Sequence, residues 1–213
     1  MRTAYNQVAG QSVERLAALS DGVFAVAMTL LVLDLHGPAI EAIHGEQGLW
    51  NALQPLGPRL LMFAMSFLTL GIFWVGQQTQ LNHLERSERS LTWIHLVFLF
   101  AVSLTPFSTS LLAEFLRYRV ALLAYWLNIA MLGATLFFSW TCATRGGLVK
   151  SDLAPATIQA VRGRIVAGQS LYAFGAALCV IDTYWSIGFI VAVQLCYALG
   201  LRMPGRRRKS REL

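Results

Sequence analysis

A bundle of six membrane-spanning helices is the fold class that this 213-residue sequence predicts, and three observations predict it. Hydrophobic residues make up 56% of the chain and charged residues only 13%, against roughly a quarter charged in an average soluble domain. The apolar residues gather into blocks of about 20, long enough to cross a hydrocarbon core of about 30 Å as helices. Runs such as Leu96 to Leu104 are apolar on both faces, whereas the strands of a bilayer barrel alternate over about 10 residues. The blocks use most of the chain, which leaves short loops and no stretch for a separate soluble catalytic domain. Residues 1–203 therefore read as one membrane domain and 204–213 as a basic tail.

The first block, residues 13–35, carries Arg15, Ser20 and Asp21 in its first half and has no apolar block before it, so it reads as a retained span and not a cleavable signal peptide. The second covers 56–77. The third, 91–114, holds Pro106, the only span-centred proline, and the fourth covers 119–141. The Gly146-Gly147 break follows, and residues 154–165 are expected to lie along the inner surface. The fifth and sixth blocks are 165–182 and 184–203. Trp50, Trp93, Trp140 and Trp185 fall near block ends, where amphipathic rings anchor at the headgroup layer.

The net charge is +6, and its placement orients the chain. With the N-terminus inside, the internal segments hold 13 of the 17 Lys and Arg: Arg2, Arg86, Arg89, Arg145, Lys150, Arg162, Arg164 and six from Arg202 onward. The outer loops hold only Arg117 and Arg119, so the positive-inside rule puts both termini in the cytoplasm. Arg206-Arg207-Arg208-Lys209 follows a span directly with no interleaved aromatics, which suits a topology anchor near anionic lipid better than a nucleic-acid patch.

Familiar chemistry is missing. The three cysteines, Cys142, Cys179 and Cys196, are odd in number and far apart, so neither a disulfide framework nor a zinc pattern is present. The histidines His36, His44, His83 and His95 lack metal-ligand spacing. No Gly-rich phosphate loop, nucleophile elbow or intramembrane carboxylate pair occurs, which argues against an enzyme, with no catalytic residue and no metal. The potassium-filter sequence Thr-Val-Gly-Tyr-Gly is absent too.

The first span holds the best clue. At 100° per residue from Val26, Leu30 lies at about +40°, Leu33 at about −20° and Thr29 at about −60°, so these four share one stripe. Asp21 falls at about −140°, away from the stripe and toward whatever packs behind the helix. A carboxylate inside a span needs hydrogen-bond partners or a water path. Ser20, Arg15, Gln77, Trp93 and His95 are the candidates, although Arg15 lies about 120° from Asp21 on the same wheel. A proton or cation relay at Asp21 is the functional alternative to a structural network. The stripe itself has a plain reading as helix packing in a bundle.

Arg15-x-x-x-Leu19-Ser20-Asp21, followed by Gly22-Val-Phe-Ala-Val26 and Thr29-Leu30, resembles the signature of the transmembrane protein 175 family of lysosomal potassium channels and their bacterial relatives. Phe73-Trp74, Leu91-Thr92-Trp93 and Ser103-Leu104-Thr105-Pro106-Phe107 fit as well, so the likeness covers roughly residues 13–115. The resemblance implies a six-helix repeat that assembles as a homotetramer, four copies of the first span surrounding a central pore. It maps the pore constriction onto Val26, an ion-preference threonine onto Thr29 and a further apolar position onto Leu33, while Leu30 joins them by geometry alone. Asp34 is placed at the outer mouth, where a carboxylate concentrates cations. Leu19 replaces the usual motif phenylalanine and is expected to pack behind the pore. Gln77 and His95 stand where bacterial members often carry histidine and asparagine.

The function so implied is a potassium-preferring cation channel of a bacterial plasma (inner) membrane. It conducts passively through a hydrophobic constriction, with potassium as permeant species and no cofactor. Its partners are copies of itself and membrane lipid. A secondary transporter, a proton-permeable leak protein and a membrane adaptor that recruits a partner through the basic tail are the rival readings.

Overall fold

The computed structural model describes residues 12–37 and 45–199. Among them every regular element is a helix: α1 (Val13–Leu30), continued by a 3-10 turn over Leu31–Asp34, then α2 (Gly45–Leu53), α3 (Leu56–Asn82), α4 (Arg89–Glu114), α5 (Arg119–Arg145), α6 (Pro155–Ala177) and α7 (Thr183–Ala198). Five of these, with α1 counted to Leu33 and α6 to Val180, are long and apolar enough to cross a membrane. The sixth apolar helix, α7, has 16 residues and a length of about 24 Å at 1.5 Å per residue. The basic tail, Arg2 and the last four residues of the expected sixth span lie outside the described residues.

Local chemistry sets the boundaries. Ser12 caps α1, its hydroxyl accepting from the Arg15 N–H at 3.2 Å, and the Asp182 carboxylate accepts from the Tyr184 N–H at 2.6 Å to start α7. Pro155 opens α6 at a position where a missing N–H costs nothing. Gly147, at φ +64°, turns the chain after α5 in a conformation that side chains with a Cβ disfavour. The helix at 155 corrects one expectation: residues 154–165 are the first turns of α6 and not a separate surface segment. Arg162 and Arg164 lower the hydropathy of those turns, but helix formation depends on backbone hydrogen bonds, which two arginines do not interrupt.

α4 and α5 pack as the most extensive pair, α1 lies against α4 and α3, α6 against α5 and α7, and α7 closes back onto α3. The apolar core runs through Phe24, Phe98, Val102, Leu122, Ile129 and Ile190. A smaller cluster of Leu16, Leu81, Leu84, Leu91, Ala143 and Leu148 closes the end at which α1 begins. There the α3–α4 and α5–α6 connections are tied together, Glu85 N–H to the Leu148 carbonyl at 2.9 Å and Lys150 N–H to the His83 carbonyl at 3.0 Å. At Gly175 an added Cβ would come within 2.9 Å of Ile190 Cγ1, so α6 and α7 meet over a residue that has no side chain.

Polar side chains also fill the interior. The Tyr125 hydroxyl lies 3.2 Å from Ser66 Oγ and 3.1 Å from Thr69 Oγ1. Gln194 donates to Thr69 at 2.6 Å, Thr109 to Ser66 at 2.7 Å and Asn128 to Thr105 at 3.0 Å. Four helices, α3, α4, α5 and α7, are thereby joined by hydrogen bonds where water is scarce, and each bond contributes on the order of 0.6 kcal/mol in such surroundings.

Candidate functional site

α1 presents two unlike faces. Leu16, Ser20, Phe24, Ala27 and Leu31 recur at intervals of three and four residues and are buried against α3 and α4. Phe24, only 2% exposed, sets its ring 5.9 Å from that of Phe98. On the opposite side Val26 is 58% exposed, Leu30 43% and Leu33 63%, and Thr29 is exposed between them. The stripe read from the sequence is therefore an aliphatic ridge on the surface of the protomer. The 3-10 turn refines it, because side chains three apart eclipse in that geometry and Leu33 stands over Leu30.

Leu19, 47% exposed, lies one heptad before Val26 and joins the ridge, which corrects its expected place behind it. With Ala18, Gly22, Val26, Leu30 and Ser103 of α4 it lines an open groove along α1. Gly22 has no heavy atom within 4 Å of where a Cβ would stand, so this surface is smooth and open to close approach. The Thr29 hydroxyl lies 3.0 Å from the Ala25 carbonyl and 2.8 Å from the Val26 carbonyl. Its proton is held by the backbone, and its oxygen lone pairs remain able to meet a cation or a water. The side chain of Asp34 lies outside the described residues.

The motif residues separate into two contacts at the edge of α1. Buried Ser20 donates to the Leu16 carbonyl at 2.8 Å and accepts from Gln77 Nε2 at 2.9 Å. Asp21 is exposed, and its Oδ1 accepts from Trp74 Nε1 at 2.8 Å and from Gln78 Nε2 at 2.7 Å. These partners differ from the expected ones. Gln77 and Gln78 are 100° apart on α3, so one amide reaches the buried serine and the other the carboxylate at the rim. Trp93 is exposed, Arg15 is exposed, and His95, which is buried, has its Nδ1 3.0 Å from the Leu91 carbonyl. None of the three is among the groups that bond Asp21. Trp74 and Gln78 stand four residues apart on one face of α3, two long donors at helical spacing, and that pairing is the signal by which the sequence could have disclosed them.

The resulting arrangement is a helix fixed from behind by two polar contacts, with no acid–base pair and no group of three or more His, Cys, Asp or Glu for a metal among the described residues. Comparisons with known proteins agree with that architecture. The family model described as endosomal/lysosomal potassium channel TMEM175 matches residues 15–106. A protein of Streptomyces collinus named as a potassium channel is 37% identical over 139 residues, which cover 62% of this chain and 65% of that protein. Another so named, from Chamaesiphon minutus, is 31% identical over 191 residues, 87% of this chain and 93% of its own length. A crystal structure described as a lysosomal potassium-selective channel TMEM175 homolog from Chamaesiphon minutus superposes with a TM-score of 0.76 at 28% identity, covering 88% of this chain and 97% of the other. Similarity along nearly the whole of a relative, in sequence and in fold, together with the matched first helices, shows that the chain belongs to the TMEM175 family.

Proposed function

We propose that this chain is one subunit of a homotetrameric, potassium-preferring cation channel in a bacterial plasma membrane, with both termini cytoplasmic and no cofactor beyond the permeant ion. The observation that carries the reading is the exposed ridge of α1, where Val26, Thr29, Leu30 and Leu33 lie along one line at the protomer surface. Four such ridges facing a common axis make rings of aliphatic side chains at Val26, Leu30 and Leu33, and such rings close a path by expelling water. The ring of Thr29 oxygens offers four acceptors to a partly dehydrated cation. Asp34 adds negative charge where the path opens outward, and the contacts of Ser20 and Asp21 with α3 hold the helix in register. The relatives named as potassium channels and the fold shared with one of them support the same reading.

The test is ion flux. Purified protein in liposomes is expected to pass potassium down its gradient, more readily than sodium, with a pH-sensitive dye inside the vesicles to register any proton current. Val26→Asn wets the narrowest ring and is expected to raise the resting leak by about tenfold. No potassium flux above that of empty vesicles across a range of voltages and pH overturns the proposal. Saturable counterflow in place of passive flux marks a transporter instead.

A further inference from the structure

Followed toward the start of α1, the ridge ends on a charge. At 100° per residue from Val26, Leu19 falls at about +20° and Arg15 at about −20°, the same angle as Leu33. The 120° between Arg15 and Asp21 has this origin: the carboxylate is on the flank that bonds Trp74 and Gln78 of α3, and the guanidinium is on the line that faces away from the bundle. Arg15 is exposed, and among the described residues no carboxylate pairs with it. Glu14 lies about 100° round the helix, and the Ser12 cap engages only the backbone N–H of Arg15. Arg15 precedes Val26 by 11 residues, a rise of about 16 Å toward the end where α1 begins. The direction of the helix acts in the same sense. Its first N–H groups and the positive end of its dipole lie at the Arg15 end, while its carbonyl end and Asp34, the last residue of the 3-10 turn, make the opposite end negative.

We propose that Arg15 sets the direction in which the channel conducts more easily: four copies ring the cytoplasmic mouth of the path, hold cations back from it, and make potassium enter the cytoplasm more readily than it leaves. This rests on the reading of the ridge as the lining of a shared path. A topology anchor needs only to stand at the cytoplasmic end, as Arg86, Arg89, Arg145 and Lys150 do, and gains nothing from the ridge line. On that line the charge repeats around the axis. Four unit charges at roughly 10 Å in water, screened as at 0.1 M salt, lower the local cation concentration by about threefold. At 1 M salt the screening length falls to about 3 Å and the depletion nearly vanishes. A cation arriving from the other side meets Asp34 and the negative ends of the helices first, which draw it in. The two mouths therefore differ in sign, and entry from the cytoplasm is the slower of the two.

Inside-out patches from cells expressing the full chain, with equal potassium chloride on both sides at 0.1 M and then at 1 M, test it. At equal and opposite voltages the inward current is expected to exceed the outward by about threefold at 0.1 M and to match it within about 20% at 1 M. Arg15→Gln is expected to raise the outward current at 0.1 M and bring the ratio close to one at both salts. Arg15→Lys keeps the charge and is expected to keep the asymmetry, which separates a field at the mouth from a packing role of the guanidinium. Arg162→Gln removes a charge of the same end whose guanidinium lies over Phe137 of α5, away from α1, and should leave the ratio as it was. Equal currents in the parent chain at 0.1 M, an asymmetry that survives at 1 M, or one that persists in Arg15→Gln overturns this proposal and leaves the channel reading standing. No potassium current at all overturns both. If Arg15→Gln does not reach the membrane, the salt dependence of the parent chain decides.

Discussion

The ridge of α1 and the outer faces of α4, α5 and α7 are both apolar and both exposed, yet they are built from different side chains. The outer faces carry large aromatics, Phe100 and Phe107 on α4, Phe138 on α5, Tyr184 and Trp185 on α7. The exposed side of α1 carries none: it has Leu19, Val26, Leu30 and Leu33, with Ala18, Gly22, Ala25 and Thr29 between them. Bulky rings suit contact with acyl chains and the interface. Small and aliphatic side chains let backbones approach closely, which is how helices associate where no water drives them together. Exposure alone does not separate a lipid face from an assembly face. Composition does, and the small, aliphatic make-up of the ridge is what the proposed packing of α1 against other copies of itself requires.

The comparison is broken most directly by placing the same bulk on both surfaces. Val26→Trp puts a ring onto the ridge and is expected to lower potassium flux into liposomes by at least about a hundredfold, since four rings at one level exclude water and ions together. Val120→Trp adds the same ring to an exposed position at the start of α5 and is expected to change flux by less than about twofold, an indole there lying at an interface that favours it. Equal losses in the two variants would erase the distinction between the surfaces.

A smaller effect is expected on the buried side of the same helix. Phe24→Ala removes the ring that meets Phe98. In a bilayer the separated helices also bury Phe24 in hydrocarbon, so the transfer part of the usual cost falls away and the cavity part remains. About 24 cal/mol per Å³ of space left open gives a loss of about 2 kcal/mol, which for a chain of this size is an apparent Tm lower by about 4–8 °C in detergent. Tetramer and flux are expected to persist below that temperature, because the ridge is untouched.

Some of this was legible in the sequence and some was not, for reasons that differ by residue. The stripe of Val26, Leu30 and Leu33 follows from local periodicity, and a regular helix leaves little freedom in how such positions fall. Leu19 belonged to the stripe by the same count; a motif position associated with packing obscured it. α6 starts ten residues before the apolar block that predicts it, because hydropathy marks where apolar residues gather, while Pro155 and an unbroken hydrogen-bond ladder begin the helix. The partners of Asp21 depend on the rotation of α3 about its own axis relative to α1. That is a tertiary quantity set by Ser20, Phe73 and Phe98 together, and no single helix encodes it.

Asp21 sits at the seam between the two faces, and it gives the smallest and most discriminating effect. Its Oδ1 accepts from both Trp74 and Gln78. Asp21→Asn keeps a carbonyl oxygen in that position, so both bonds survive as neutral ones, roughly half as strong as their charged counterparts. The expected loss is about 0.5–1 kcal/mol, an apparent Tm lower by about 1–4 °C. Asp21→Leu removes the acceptor and should cost more, because Trp74 and Gln78 both lose their partner. If the carboxylate only holds α1 against α3, the asparagine variant keeps its potassium flux and any proton flux together. If it instead passes protons, the asparagine variant loses proton flux while potassium flux stays, because an amide cannot take and release a proton in this pH range. The two roles thus separate in one variant measured with two dyes.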